Sequence, residues 1–149
     1  FGFDAAFSPA GTEAQTFKFF AAVFQRRVED LIQLVFDARG IGRAVNIARA
    51  DFEGVEAGFD YSPRSDLSLS CNYTVTDTVI RDATVSAERN KRVPGVAKQS
   101  LNARAEYRRG GLKLYGEFQM QDGRYYDKPN LFAAAEKQLV NIGLVWNWN

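Results

Sequence analysis

Apolar and polar side chains alternate along much of this chain, with the period of two that sets successive residues on opposite faces of a β-strand. From Leu67 the odd positions read Leu67, Leu69, Cys71, Tyr73 and Val75, against Ser68, Ser70, Asn72, Thr74 and Thr76. Leu101, Ala103, Ala105 and Tyr107 alternate with Asn102, Arg104 and Glu106. Leu112, Leu114, Gly116, Phe118 and Met120 alternate with Lys113, Tyr115, Glu117, Gln119 and Gln121. Val140, Ile142, Leu144, Trp146 and Trp148 close the series against Asn141, Gly143, Val145, Asn147 and Asn149, where only Val145 breaks the polar face. Each of these segments predicts a strand.

Three earlier segments are less regular. Phe1 to Phe7 alternates over a short stretch, and Phe17 to Leu34 is long, first aromatic and then charged at Arg26, Arg27, Glu29 and Asp30. Ile47 to Tyr61 carries Val55, Ala57, Phe59 and Tyr61 on one face, with Glu56, Gly58 and Asp60 on the other. Phe52 stands three positions before Val55 and is out of phase with that face, which predicts a β-bulge near Glu53 and Gly54. The reading is about seven antiparallel strands.

The links between them alternate in length. Ser-Pro-Arg-Ser-Asp joins Tyr61 to Leu67 and Arg-Arg-Gly-Gly joins Tyr107 to Leu112, both rich in turn-forming residues; Ser8 to Gln15 belongs loosely to the same short side. Asp82 to Lys98 and Asp122 to Gln138 are far longer than a hairpin loop needs. Short turns at one end and long loops at the other are the pattern of up-and-down outer-membrane barrels.

Composition narrows the chemistry. Lys plus Arg at 19 against Asp plus Glu at 18 leaves no global field to draw in nucleic acid, so no nucleic-acid partner is expected. Histidine is absent and Cys71 is the single cysteine, so an internal disulfide is impossible, the common metal-ligand sets are missing and no metal or cofactor is expected. The same absence removes the commonest general base, and an enzyme is not expected. No apolar run approaches the ~20 residues of a membrane-spanning helix; if the chain meets a membrane, it does so with strands.

The contents of the two faces decide between settings. Glu56, Asp60, Arg104, Glu106, Lys113 and Glu117 share the polar face, where burying each lone charge in a dry core would cost several kcal/mol. That face is wet or meets another polar surface. The apolar face ends near the short turns in Phe59, Tyr61, Tyr107, Trp146 and Trp148, as an interfacial girdle does. Slipping Arg104 or Lys113 onto a lipid face would cost about 2–4 kcal/mol each, so the register should be firmly set. The alternative at this point is a soluble antiparallel sheet with one solvated face.

Two runs then resemble a known family. Ala22-Val23-Phe24-Gln25-Arg26-Arg27-Val28-Glu29-Asp30-Leu31-Ile32, followed by Asn46-Ile47-Ala48-Arg49-Ala50-Asp51-Phe52-Glu53-Gly54-Val55-Glu56, is similar to consecutive strands of TonB-dependent receptors. Tyr73-Thr74, Val93-Pro94-Gly95-Val96 and Gly123-Arg124-Tyr125-Tyr126-Asp127 with Asn130 resemble that family's late barrel, and the likeness covers nearly everything from Phe17 onward. Siderophore and cobalamin receptors are the nearest types. The resemblance implies an all-β fold: antiparallel strands of a larger transmembrane barrel of about 22 strands with a plugged lumen. It also implies an outer-membrane site in a Gram-negative bacterium and uptake of a scarce ligand such as a ferric siderophore, haem or cobalamin. Partners would be membrane lipid and lipopolysaccharide, the receptor's own plug domain and remaining barrel strands, the small-molecule ligand, and TonB through segments outside this chain. The chain begins at Phe1 without methionine or leader, as a mature exported protein or an excised fragment would. Residues 1–149 are accordingly expected to form a single partial barrel domain without plug or closing strands.

Within that frame Arg89, Lys91, Arg92, Arg124, Tyr125, Tyr126 and Lys128 are the candidates in the long loops for contact with an anionic chelate or with lipopolysaccharide phosphate. Their plain alternative is solvated loop charge. Glu56, Arg104, Glu106, Lys113 and Glu117 are the candidates facing lumen and plug. Gly40-Ile41-Gly42 lacks the following helix and Gly-Lys-Ser run of a phosphate loop, and Cys71 on the apolar face reads as a small packed side chain. Two further functions stay open: a complete small outer-membrane barrel with an adhesive, lipid-binding or anchoring role, and a soluble lipocalin-like binder with its apolar face inward.

Overall fold

The computed structural model describes residues 2–7, 15–37, 39–83 and 85–148. Seven strands form one antiparallel sheet in sequence order: β1 (Gly2–Phe7), β2 (Thr16–Phe36), β3 (Gly42–Arg64), β4 (Leu67–Asp82), β5 (Gln99–Arg109), β6 (Leu112–Asp122) and β7 (Lys137–Trp146). Every segment expected from alternation contains a strand, although β7 ends at Trp146 and leaves Asn147 and Trp148 beyond it, and the long loops fall between Asp82 and Gln99 and between Asp122 and Lys137. The expected Ser8 to Gln15 link and the ends at Phe1 and Asn149 lie, apart from Gln15, outside the described residues.

The short turns are tighter than the sequence suggested. Ser62 and Pro63 belong to β3, leaving Ser65 and Asp66 as the turn into β4. Between β5 and β6 only Gly110 and Gly111 remain, at φ 50° and 54°, the pair of positive angles that lets a two-residue hairpin follow the twist of its strands. The carbonyl of Asp66 accepts the Arg108 N–H at 2.8 Å, which ties the two turns together.

β2 and β3 are one long hairpin of 21 and 23 residues, and β3 begins at Gly42 rather than near Ile47. At ~3.3 Å per residue these strands extend about 70 Å. They turn around Asp37, whose carboxylate accepts the N–H groups of Arg39 (2.9 Å) and Ile41 (3.0 Å).

The expected bulge at Glu53 and Gly54 is not there. Pairing runs unbroken from Phe52↔Arg26 through Glu53↔Gln25 to Val55↔Val23, and on the other side from Phe52↔Thr78 to Val55↔Val75; the irregularity near this region falls between Arg49 and Ala50. Gly54 has a different use. A Cβ there would come within 2.5 Å of the Phe24 ring, and one on Gly58 within 2.6 Å of the Phe20 ring. Two aromatic rings of β2 thus rest on the bare backbone of their partners in β3. Phe52 keeps its phase and points to the same face as Glu56, where it is buried with Ala50, Ile80 and Val93. That cluster is the main hydrophobic core among the described residues, and it forms where the β4–β5 loop lays Val93 against the sheet.

Candidate functional site

Register carries the apolar face across all seven strands. Ala5, Phe19, Phe59, Cys71, Ala103, Phe118 and Val140 form one transverse row, and Phe3, Ala21, Ala57, Tyr73, Leu101 and Met120 form the next. Ile142 is 79 % exposed, Val140 64 % and Val55 50 %; contiguous apolar exposure on this scale marks a surface made to meet something apolar. On β4 the apolar positions run from Leu67 to Val75, about 26 Å along the strand, or roughly 20 Å at a tilt of ~40°, against the ~25 Å apolar band of outer-membrane barrels. Phe17 stacks on Phe59 and meets Tyr61 edge-on, with centroids 6.1 and 6.0 Å apart, while Trp146 and Trp148 lie 6.4 Å apart. Phe59, Tyr61, Trp146 and Trp148 stand at the short-turn edge, where the sequence placed them, and Phe17 joins them there.

The opposite face gathers four of the five polar-face candidates. Glu106 is buried and takes ion pairs from Arg104 at 2.6 Å and Lys113 at 3.2 Å, and from Arg108. Arg104 also pairs with Glu117, and its guanidinium lies 4.7 Å above the Tyr115 ring; Lys113 approaches the same ring at 5.8 Å. Tyr115 and Arg108 were not anticipated, although Tyr115 sits in phase with Lys113 and Glu117. Glu56 lies apart on this face and accepts a hydrogen bond from Asn72 at 2.6 Å. A depression of about 350 Å³ crosses the middle of the face, lined among others by Phe20, Asp60, Asn72, Asn102, Arg104 and Gln119.

The two long loops are clasped to each other. Arg92 N–H donates to Asn130 Oδ1 at 2.7 Å, Asn130 Nδ2 donates back to the Arg92 carbonyl at 3.0 Å, and Gly95 N–H reaches the Tyr125 carbonyl at 2.8 Å. Asn130 holds φ at 60°, an angle that Asn tolerates better than most residues. The Asp127 carboxylate secures the turn beyond, accepting the N–H groups of Leu131 and Phe132 at 3.0 and 2.8 Å. The loop candidates therefore divide. Arg92 spends its guanidinium on Asp77 and the Thr76 carbonyl, and Lys128 pairs with Glu88 at 3.4 Å while donating to the Asn46 carbonyl. Tyr125 bridges Ala133, and Arg124 is half-buried with no bond to its Nε among the described residues. Arg89, Lys91 and Tyr126 are exposed. Among the described residues no group of acidic, cysteine and histidine side chains could hold a metal ion.

A family model described as "TonB dependent receptor-like, beta-barrel" matches residues 1–149. A search of the curated proteins finds no match. Among solved structures, the ferric preacinetobactin receptor BauA of Acinetobacter baumannii superposes with a TM-score of 0.65 at 17 % identity, over 96 % of this chain and 21 % of that one. The likeness to that structure is one of fold, and this chain spans about a fifth of its length.

Proposed function

The chain belongs to the TonB-dependent receptor β-barrel family, and from that membership we propose that it forms a section of the wall of an outer-membrane transport receptor that imports a scarce ligand such as a ferric siderophore, haem or cobalamin. The family is one of transport receptors rather than enzymes, and its barrels are outer-membrane proteins of Gram-negative bacteria. The observation that carries the proposal is the register: seven strands hold every apolar row in line on one face and a charged, hydrogen-bonded network on the other. The apolar face meets lipid. The polar face, with Glu56, Arg104, Glu106, Lys113 and Glu117, lines the lumen and meets the receptor's plug, which together with TonB supplies the moving part.

The mechanism follows from rigidity. Arg104, Arg108 and Lys113 pair with Glu106 and Glu117 across β5 and β6, three cations on two carboxylates, so most of the charge is spent within the wall and the plug meets a polar surface with a single positive charge in excess. The clasped loops hold Arg124, Tyr125 and Tyr126 on the long-loop side, where a guanidinium and aromatic rings suit an anionic chelate. Arg89 and Lys91 add positive charge beside them. Deleting the whole receptor gene and supplying iron only as defined ferric siderophores or haem, or supplying cobalamin to a cobalamin auxotroph, tests the role. Loss of growth on one of these, restored by the gene, is the expected result; undiminished uptake of all of them would refute transport.

A further inference from the structure

Just above the apolar band, three adjacent strands bring two arginines onto one carboxylate. Arg27 of β2 pairs directly opposite Asp51 of β3, on the face that carries Val23, Val55 and Val75 two rows below, and Arg81 of β4 reaches the same carboxylate. Arg27 Nε donates to Asp51 Oδ1 at 3.0 Å and Arg81 Nε donates to Oδ2 at 2.8 Å. Both guanidinium groups spend their Nε donors on Asp51. Their Nη donors have no partner among the described residues, with Arg27 65 % and Arg81 45 % exposed. Two cations on one anion give the triad itself a charge of about +1, with two guanidinium groups held on one carboxylate in an arrangement that suits phosphate; the exposed carboxylate of Glu29 lies one row above on the same face. One row nearer the band, Asp77 is neutralised by Arg92 and Glu53 is exposed; the attraction is local to the arginine pair and not a general field.

We propose that Arg27, Asp51 and Arg81 form a site for the phosphate of an outer-leaflet lipid whose acyl chains lie along the apolar rows beneath. This rests on the lipid-facing reading of that surface. Height supports the assignment. Asp51 stands four residues above Val55 on β3, about 13 Å along the strand and roughly 10 Å along the membrane normal at ~40° tilt. The headgroup layer adds about 5–8 Å beyond each side of the hydrocarbon, and arginine stems reach back down to it. Asp51 acts as the positioning residue, fixing two flexible side chains before the lipid arrives.

The test uses the full-length receptor that carries this segment, reconstituted in phosphatidylcholine nanodiscs and titrated with purified bisphosphorylated lipid A, with bound lipid counted by native mass spectrometry. The double variant R27Q/R81Q should weaken retention at least tenfold, while R39Q at the distant β2–β3 turn should leave it unchanged. Lipid A stripped of phosphate should bind both forms alike. Equal retention of lipid A by R27Q/R81Q would overturn the proposal, as would inorganic phosphate binding as tightly as the lipid, which would make the site one for free phosphate. Heat-modified migration on gels verifies that each variant is a folded barrel; the lysine variant R27K/R81K, which retains charge but loses the fork, should show an intermediate loss. A wild-type receptor that never enters the outer-membrane fraction would refute the family-based reading instead, independently of the arginine result.

Discussion

Replacing Asn130 with Ala should unlatch the long loops without disturbing the sheet. The side chain donates to the Arg92 carbonyl at 3.0 Å and to the Asp127 carbonyl at 3.2 Å, and accepts the Arg92 N–H at 2.7 Å. Taking about 1 kcal/mol net for each of the two bonds to Arg92, and rather more where the stranded N–H stays half-buried, the latch contributes about 2–3 kcal/mol. Alanine at φ 60° would add about 1 kcal/mol of backbone strain. Asn130→Gly removes the strain and isolates the side-chain contribution. If local opening exposes the Arg92 and Gly95 amides, their hydrogen exchange in the glycine variant should speed up roughly 30- to 140-fold. Amides of β5 and β6 should exchange as before. Unchanged protection at Arg92 and Gly95 would refute the latch, and equal loss across the sheet would show that Asn130 serves global stability instead.

Other consequences can be checked in the same receptor. Gly54→Val drives a side chain against the Val75 carbonyl oxygen as well as into the Phe24 ring and should cost at least about 1–3 kcal/mol in denaturant unfolding, of which Phe24→Ala should restore only the share owed to the ring. Ile142→Arg, in the middle of the apolar rows, should impair refolding into vesicles by about 2–4 kcal/mol, whereas Asn141→Arg on the polar face should be tolerated; equal effects would mean that the faces are misassigned. Glu106→Gln leaves Arg104, Arg108 and Lys113 facing one another and should lower the thermal midpoint more than Glu53→Gln. Asp37 is held below the usual carboxylate range, chiefly by the Ile41 N–H and then by Arg39, against some desolvation. The stability that it lends the β2–β3 turn is therefore full above its ordinary pKa of 3.8 and is lost as pH falls through the lowered folded value. Carboxyl NMR of Asp37 would show this, and a midpoint at or above 3.8 would contradict it.

What was legible in the sequence follows from the range of the forces involved. Strands were legible because Leu67 to Val75 or Leu112 to Gln121 meet the same two environments at every step, so alternation survives undiluted. The turn at Gly110 and Gly111 was legible because its backbone angles demand glycine. The start of β3 was not: Gly42, Arg43 and Asn46 lie beyond the neighbouring strand β4, where neither face imposes a pattern. The clasp was invisible for a different reason. Arg92 and Asn130 are 38 residues apart, and nothing local to either predicts their meeting; the likeness to a late-barrel motif named Asn130 but gave it no work. Arg92 and Lys128 were picked out as loop charges, and spend those charges within the structure.

The misplaced bulge shows how a pattern can change without the backbone changing. On β3 the face of Tyr61, Phe59, Ala57 and Val55 continues as Glu53, Asp51 and Arg49, while the face of Asp60, Glu56 and Gly54 continues as Phe52 and Ala50. Hydrophobicity trades sides at Glu53 and Gly54. A bulge would produce that exchange by rotating the strand, but β2 makes the same exchange after Val23, where Gln25, Arg27 and Glu29 follow, and β4 makes it after Val75, where Asp77, Val79 and Arg81 follow with Val79 the one apolar exception. Val23, Val55 and Val75 lie in one row. Three strands cannot each owe their switch to separate bulges in that row, because pairing is continuous through it. The surroundings change there instead: above the row one face is covered by Val93 and its loop, and in the proposed wall the other face passes at the same height from lipid to charged headgroups. A one-residue slip in any of these strands would put charge into lipid and apolar groups into water on both sides of the boundary, so this row fixes the height of the wall in the membrane as well as its register.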